Sequence, residues 1–371
     1  MTTDKSVLVT GADGFVGKNL CVRLAEAGYA KVFKAGRNTP RDVLAEALTQ
    51  ADVIFHLAGA NRPADDSEFM MVNHDFTASL VDVLGQTNQR PLVILASSVK
   101  AVEQTAYGRS KKAAENVLTA FAEDKGNVAI YRLPNIFGKW CRPNYNSAVA
   151  TFCHNVARDI EIQINDPAAP IDLIYIDDLI DQWLAAVSGH FSVGGLIETD
   201  NVYSTTVGEV AGIIRGFRAD RDAQMIDSVG SGLTRALYAT YVSYLPTDAF
   251  SYEIPAYADP RGTFSEMLKT RNSGQFSYFT AHPGITRGGH YHHTKTEKFL
   301  IVHGQALFRF RHILTDEAHE IRVSGSKPVV VETIPGWAHD VTNVGDDIMV
   351  SLLWANEIFD RSRPDTISAG I

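Results

Sequence analysis

The sequence predicts an α/β domain with a parallel sheet, followed by an all-β domain. Three observations support this. Apolar strand-like runs alternate with helical stretches through the first half of the chain. The helical period then disappears near Tyr244-Leu245-Pro246, apart from a few short possible turns. Beyond that point, short apolar runs are separated by Gly, Pro, Asn and Asp, as in an antiparallel sandwich or barrel. With 371 residues, 45% of them hydrophobic and 21% charged, the chain exceeds one ordinary domain and should bury a proper core.

The elements follow in order. Residues 6–10 predict a strand, and residues 14–27 a helix with Val16, Leu20, Cys21, Leu24 and Ala25 on one face. Residues 31–35 predict a strand, 41–48 a helix, 53–57 a strand and 67–84 a helix. Residues 92–96 predict a strand, 110–123 a helix and 128–132 a strand. Repeated β-α-β of this kind implies a parallel sheet with helices on both faces. In the last third, residues 299–302, 306–310, 329–332 and 348–354 predict short strands. The boundary falls between Ser243 and Phe250, giving a first domain of 1–243, a linker of 244–250 and a second domain of 251–371. The chain shows no internal repeat and no low-complexity segment.

Lys plus Arg number 34 against 43 Asp plus Glu, a net charge of −9. That argues against general nucleic-acid binding, which needs a basic field to displace counterions. An anionic substrate stays possible, because a site needs only local Arg or Lys. Cys21, Cys141 and Cys153 show no metal-type spacing and read as cytosolic thiols. Met1 to Lys5 leads directly into Val7-Leu8-Val9-Thr10, so no signal peptide is expected. No apolar run approaches the ~20 residues that span a bilayer. The expectation is a cytoplasmic protein with no membrane and no nucleic-acid partner.

Gly11-Ala12-Asp13-Gly14-Phe15-Val16-Gly17 lies between the first strand and the first helix, where a Rossmann-type fold binds a dinucleotide. Gly11 permits the tight turn, Gly14 lets the backbone approach a pyrophosphate, and Gly17 lets the helix pack closely on the sheet. Asp13, Phe15 and Val16 complete the turn, and the helix N-terminus faces the anion. The second strand ends at Gly36-Arg37, with no acidic residue there to bind a ribose 2′-hydroxyl. Arg37 is placed to meet a 2′-phosphate, which favours NADPH over NADH. After the third strand, His56-Leu57-Ala58-Gly59 offers Leu57 and Ala58 as backbone for the cofactor ribose to lie against. His56 itself reads as a packed or hydrogen-bonded residue and not a catalyst.

Ketone reduction by hydride needs an acid at the carbonyl oxygen as charge develops there. Tyr107-Gly108-Arg109-Ser110-Lys111 supplies Tyr and Lys one helical turn apart, on one helix face. The Lys111 ammonium would lower the tyrosine pKa and hold the nicotinamide ribose. Ser97 and Ser98 end a preceding strand, and either could donate to the same carbonyl. On these residues, the first domain resembles an extended short-chain dehydrogenase/reductase of the nucleotide-sugar type. The resemblance implies a catalytic triad of Ser98, Tyr107 and Lys111, with Tyr107 and Lys111 also touching the cofactor. The loop from Ser98 to Tyr107 is shorter than in many members. Lys112 reads as a surface residue, and Asn73 sits on the helix that usually supports the site. The family's substrate region begins at Arg132-Leu133-Pro134-Asn135-Ile136-Phe137-Gly138, which brings in Asn135. Arg142, Asn144 and Asn146 follow and could hold diphosphate and sugar hydroxyls, or form an ordinary polar loop.

In the second domain, His290 and His292 alternate on a strand and share a face. Glu297 follows closely, and His339 comes after Pro335-Gly336-Trp337-Ala338. Three imidazoles and a carboxylate suit a divalent metal, with Zn the first expectation and Mn, Fe or Ni also accepted. His293 is adjacent but has the wrong strand phase. The segment resembles a cupin, whose first motif is matched at Gly284, His290, His292, Glu297 and Gly304. The second motif is matched at His339 and Asn343, with Pro328 in place of its first glycine. The resemblance implies a cupin barrel. Asp259-Pro260-Arg261-Gly262-Thr263-Phe264-Ser265-Glu266 and Thr286-Arg287-Gly288-Gly289-His290 also resemble the motifs of deoxysugar C3/C5 epimerases. That resemblance implies Arg261 and Arg287 at the substrate, and a proton-abstracting role at His290. A metal-bound His is a poor base, so either the metal stabilises an enolate while another group moves the proton, or the metal is structural. Lys269, Lys295, Tyr291 and Asp340 are the candidate proton carriers.

The whole chain, including Trp354-Ala355-Asn356-Glu357-Ile358-Phe359 and Arg363-Pro364-Asp365-Thr366, resembles one family. These are the capsular-polysaccharide bifunctional epimerase–reductases of the UDP-N-acetyl-L-fucosamine pathway. The resemblance implies that the cupin inverts C3 of a UDP-2-acetamido-2,6-dideoxy-hexos-4-ulose. The first domain then reduces the C4 ketone with NADPH to a UDP-2-acetamido-2,6-dideoxy-L-talose. A UDP-amino-deoxysugar is thus the expected substrate, and a homodimer the expected assembly. Two rivals stand beside this reading. One is a single-activity UDP-4-ketosugar reductase with a structural or sugar-binding cupin; the other is a non-catalytic nucleotide-sensing regulator.

Overall fold

A computed structural model describes residues 3–63, 65–124, 126–189, 195–362 and 364–371. Of the residues named above, Met1, Thr2 and Arg363 lie outside the described residues. The chain divides into two units: Met1–Arg215 with Gly232–Leu245, and Gly216–Ser231 with Pro246–Ile371.

The first unit begins β1 (Thr3–Thr10), α1 (Phe15–Glu26), β2 (Tyr29–Ala35), α2 (Arg41–Gln50) and β3 (Val53–His56). A helical run follows as α3 (Ser67–Phe69), one π-helical turn at Met70–Asp75, and α4 (Phe76–Gly85). Then come β4 (Leu92–Ser98), α5 (Ala106–Asp124), β5 (Asn127–Leu133), β6 (Asn135–Phe137) and α6 (Ala148–Val156). Next in the chain are β7 (Pro170–Tyr175), α7 (Ile176–Val187), β8 (Gly195–Ile197), β9 (Val202–Thr206), α8 (Val207–Asp222), β10 (Met225–Ile226) and α9 (Gly232–Val242), of which β10 and residues 216–222 of α8 group with the second unit.

The main sheet runs β2-β1-β3-β4-β5-β8, parallel throughout. Its central strands are apolar on both faces because helices cover both, so alternation is lost and they read as continuous apolar runs. On one face Leu48 of α2, Leu80 and Leu84 of α4, and Leu118 and Phe121 of α5 share a core with Leu8, Ile54, Val93 and Ile130. On the other, the fully buried Trp183 of α7 sets its ring 5.6 Å from Phe55 and 6.0 Å from Tyr131. Because the strands are parallel, the turns after β1, β3 and β4 meet at one edge, the usual ligand edge of an open α/β sheet. A smaller sheet, β6-β7-β9, lies beside the substrate-region segment.

The second unit continues β11 (Tyr257–Asp259), β12 (Gly262–Thr270), β13 (Gln275–Ala281), β14 (Thr286–Tyr291), β15 (Glu297–His303) and β16 (Gln305–His312). It ends with β17 (Ala318–Ser324), β18 (Val330–Glu332), β19 (Trp337–Asn343), β20 (Met349–Ala355) and β21 (Ile367–Ser368). These form a sheet β10-β12-β13-β20-β15-β18, with β11 on β12, and a second sheet β17-β16-β19-β14-β21. Alternate residues of both sheets share one core: Phe279, Phe299, Ile301 and Met349 from the first, Ala306, Phe308, Phe310 and Val341 from the second. The unit is sheet-rich, and every strand pair but β10–β12 is antiparallel.

Three details differ from the sequence reading. The helix expected at 110–123 starts at Ala106, so Tyr107 is already inside it. The helix expected at 67–84 contains the π-turn. Residues 216–231 group with the second unit, where the two-residue strand β10 pairs with β12, too short a strand to read from periodicity. Among the described residues, no helix is long and apolar enough to cross a membrane.

Candidate active site and candidate metal centre

The glycine turn is crowded where the sequence asks for glycine. Gly11 has φ +68°, and a Cβ there would lie 2.8 Å from the Ala58 nitrogen. A Cβ on Gly17 would lie 2.3 Å from the Gly11 carbonyl oxygen, so only glycine lets α1 start this close to β1. Gly14 is the N-cap of α1 and offers no side chain to its amides, and the first turn holds no acidic residue. These free amides and the helix dipole fit a pyrophosphate. The Asp13 carboxylate lies against Gly36, and Arg37 is exposed just beyond it. Phe15 and Val16 open α1.

A buried relay holds the neighbouring backbone. Leu57 and Ala58 amides donate to Thr10 Oγ1, which lies 2.8 Å from His56 Nδ1. His56 Nε2 lies 2.9 Å from Thr77 Oγ1, and that hydroxyl donates to the Asn73 carbonyl. Thr77 has therefore used its proton and accepts from Nε2–H, which leaves Nδ1 to accept from Thr10. Burial, with the Lys111 charge adding to it, pushes the His56 pKa down to about 3, so the ring is neutral. It shapes the turn and is no catalyst.

Ser98, Tyr107 and Lys111 stand together at the sheet edge. Lys111 Nζ is 6.0 Å from the Tyr107 ring centre and donates to the Ala96 carbonyl at 3.1 Å. Burial lowers the Lys111 pKa to about 8, against an opposing pull from Glu115. Burial raises the Tyr107 pKa, and a hydrogen bond with the Ser98 hydroxyl works the other way. Desolvation outweighs the lowering expected from Lys111, so the phenol is kept protonated. Phe69 packs edge-on against Tyr107 at 5.6 Å and limits its ring. Ser97 points elsewhere: its hydroxyl donates to Glu115 at 2.6 Å. The buried Glu115 also receives two bonds from Arg132 and one from Lys112. Asn73, in the π-turn, donates to Ser110 Oγ at 2.9 Å and accepts from the Ala60 amide. The Glu115–Arg132 pair was not anticipated, and a Glu one turn after the Lys was its only local sign; His56 was expected to be packed or hydrogen-bonded, and the fold supplies its partners, Thr10 and Thr77.

The substrate-region residues are more dispersed. Asn135 donates its side-chain amide to the Asp172 carbonyl. Arg142 is exposed and stacks 5.4 Å over Tyr145, Asn144 is exposed at φ +54°, and Asn146 is exposed. A cavity of about 440 Å³ is lined by Val99, Arg132, Pro134, Asp172, Leu196 and Val202 among others, and none of Ser98, Tyr107 and Lys111 lines it.

In the second unit, His290, His292, Glu297 and His339 bring one ligand atom each within 4.8 Å of one another. β14 and β19 pair His290 with His339, and β15 begins at Glu297. Glu297 Oε2 lies 3.2 Å from His292 Nε2 and 3.4 Å from His339 Nε2. Burial works to raise the Glu297 pKa, but His292 and His339 hold it down at about 2. Burial and the neighbouring imidazoles lower the His290 pKa to about 4. His339 Nε2 is buried and makes no hydrogen bond among the described residues. A carboxylate ringed by three imidazoles, one with an orphaned buried nitrogen, fits a divalent cation.

Arg287 lies half-buried, donates to the Thr280 carbonyl and sits 5.4 Å over Phe279, with one buried nitrogen unpaired among the described residues. Arg261 is paired with Asp259, and its charge reaches Arg287. Three of the candidate proton carriers are already engaged. Lys269 pairs with Glu266, Asp340 with Arg309, and Lys295 donates to Pro364 and Thr366. Tyr291 packs edge-on against His293.

Residues 7–194 match the NAD dependent epimerase/dehydratase family, and residues 257–367 match the polysaccharide biosynthesis C-terminal domain. Over 366 residues, 98% of each chain, the sequence is 52% identical to the UDP-2-acetamido-2,6-beta-L-arabino-hexul-4-ose reductase of Pseudomonas aeruginosa strain PA103. Among solved structures, it is similar to the capsular polysaccharide assembling protein CapF from Staphylococcus aureus. The TM-score is 0.92 at 41% identity, over 99% of this chain and 100% of that one. The UDP-glucuronic acid 4-epimerase of Bacillus cereus, in complex with NAD, shares the fold alone. There the TM-score is 0.54 at 18% identity, over 64% of this chain and 98% of that one. The chain therefore belongs to the NAD dependent epimerase/dehydratase family, in a form that also carries a polysaccharide biosynthesis C-terminal domain.

Proposed function

We propose that the first unit reduces the C4 ketone of a UDP-2-acetamido-2,6-dideoxy-hexos-4-ulose with NADPH. In the same proposal the second unit first inverts C3 of that sugar, so the product is a UDP-2-acetamido-2,6-dideoxy-L-talose. The observation that carries the reading is the cluster of Ser98, Tyr107 and Lys111 behind the glycine turn, in a chain 52% identical to a UDP-hexulose reductase.

Bound NADPH supplies the hydride for the ketone carbon. The chain's own groups attend to the oxygen. Tyr107, kept protonated by burial, gives its proton to the ketone oxygen as negative charge develops there. Ser98 donates a hydrogen bond to the same oxygen, and Lys111, charged below about pH 8, stabilises the phenolate left behind. Gly11, Gly14 and Gly17 hold the pyrophosphate, Leu57 and Ala58 the ribose, and Arg37 the 2′-phosphate. Asn135, Arg142, Asn144 and Asn146 are assigned to the sugar nucleotide.

In the second unit, His290, His292, Glu297 and His339 would hold a divalent cation, Zn in this reading, and the bound cation would supply Lewis-acid chemistry for the inversion at C3. Arg261 and Arg287 would face the diphosphate. A ligating His has no free lone pair, so a group other than His290 moves the proton. Inversion precedes reduction, because reduction removes the ketone that makes C3 acidic. A cytoplasmic homodimer completes the proposal.

Turnover of NADPH with the UDP-4-ketosugar tests it, read by absorbance. Tyr107→Phe should lower kcat by about 10²–10⁴-fold while NADPH still binds. A Tyr107→Phe variant as fast as the wild type would remove the assigned acid and sink the reading.

A further inference from the structure

We infer that Asp365 is a positioning residue for the candidate metal centre. It buckles the C-terminal segment onto the turn after β14 and so fixes the tautomer of His292. The inference rests on reading the four-residue cluster as a cation site.

The Asp365 carboxylate accepts hydrogen bonds from three successive amides. His293 donates to Oδ1 at 3.0 Å, and Thr294 and Lys295 donate to Oδ2, each at 2.8 Å. The Thr294 hydroxyl adds a fourth bond at 3.0 Å. The carboxylate is committed to the turn and stands outside the four-residue cluster. Its backbone sits at φ +39°, the left-handed region that Asp and Asn enter more readily than most side chains.

This conformation aims the main-chain carbonyl of Asp365 at the metal cluster, where it lies 2.5 Å from His292 Nδ1. A carbonyl has no proton to give, so Nδ1 must carry it. Nε2 is then the nitrogen that faces the cluster and would take the cation, 3.2 Å from Glu297 Oε2. A His ligand whose other nitrogen donates to a carbonyl is the usual outer-shell arrangement of metal sites.

The rest of the segment is fastened to the same place. The Lys295 ammonium, buried among these groups, donates to the Pro364 carbonyl at 2.7 Å and to Thr366 Oγ1 at 3.0 Å. β21 pairs Ser368 with His290 and Ile367 with Tyr291, and the Ala369 amide donates to the Gly289 carbonyl. The C-terminal segment therefore grips one edge of the strand that carries His290 and the turn that follows His292.

The test is Zn(II) affinity of the full chain, by competition with a chromophoric chelator, together with the visible spectrum of the Co(II)-loaded protein. Asp365→Ala should weaken Zn(II) by about tenfold or more and change the Co(II) spectrum. Asp365→Asn keeps the left-handed preference and one acceptor oxygen, so it should recover part of the affinity but not all. A merely structural loss would lower the melting temperature and leave the bound Co(II) spectrum unchanged. Wild-type affinity and spectrum in Asp365→Ala, with binding lost in His290→Ala, would overturn the positioning role and leave the cation site standing. Should Asp365→Ala fail to fold, wild-type affinity in Asp365→Asn would overturn it alone. Equal Zn(II) binding in wild type and His290→Ala would remove the cation site and this inference with it.

Discussion

Lys111 carries a charge where the surroundings disfavour one. It is 7% exposed, and burial brings its pKa from the ordinary 10.5 to about 8. Below about pH 8 the lysine is charged in both folded and unfolded chains, and the folded state bears the full desolvation penalty. Between about 8 and 10.5 the folded chain has released the proton that the unfolded chain still holds, so stability rises with pH. Lys111→Met should therefore stabilise the nucleotide-free protein at pH 7, on the order of 1–3 kcal/mol. Its advantage should shrink by pH 10, and turnover should collapse. Thermal unfolding at the two pH values checks this; a variant less stable than wild type at pH 7 contradicts it. At this scale the sequence was informative about residue types and spacing, as with Tyr107 and Lys111. Residue types alone left Ser97 and Ser98 open and the family resemblance chose Ser98; neighbours on a strand face opposite ways, and the fold adds that Ser97 meets Glu115. Asp365 was equally hidden, since it clasps an amide 70 residues away in sequence.

The turn between β1 and α1 works by close approach of backbone to backbone. A methyl group at Gly17 would meet the Gly11 carbonyl oxygen at 2.3 Å and Ala12 Cα at 2.7 Å, and neither can move aside like a side chain. Gly17→Ala should lower stability by about 1–3 kcal/mol and weaken NADPH binding. Gly212→Ala in α8 is the matched control, with open space around its Cβ. It should stabilise by about 0.5–1 kcal/mol and leave NADPH binding unchanged. Melting temperature and nucleotide fluorescence read both, and equal effects from the two substitutions would contradict the packing argument. Elements with strong periodicity were legible, including β1 to β5 and the helices between them. The π-turn at Met70–Asp75 was not, because no local residue choice separates a five-residue hydrogen-bond step from a four-residue one. The strands β6 to β10 were missed as well, since runs of two to six residues carry too little pattern.

On the whole chain, two chemistries share one substrate feature. The proposed inversion needs the C4 ketone to make C3 acidic, and the proposed reduction consumes it. The order of steps is therefore set by the substrate's own chemistry. Both halves of this plan could be read from local motifs, the glycine turn with Tyr107 and Lys111 in one half and the His and Glu spacing in the other. The grouping of residues 216–231 with the second unit could not, because it rests on contacts between segments far apart in sequence, β10 on β12, Gln224 on Glu266 and Asp220 on Arg271. The most direct test is NMR of the product formed from the UDP-4-ketosugar and NADPH by the full chain in ²H₂O. The account predicts a C4 hydroxyl, one NADPH oxidised per sugar, deuterium at C3 and inverted C3 stereochemistry. A sugar recovered with its C4 ketone intact and NADPH unconsumed would contradict it.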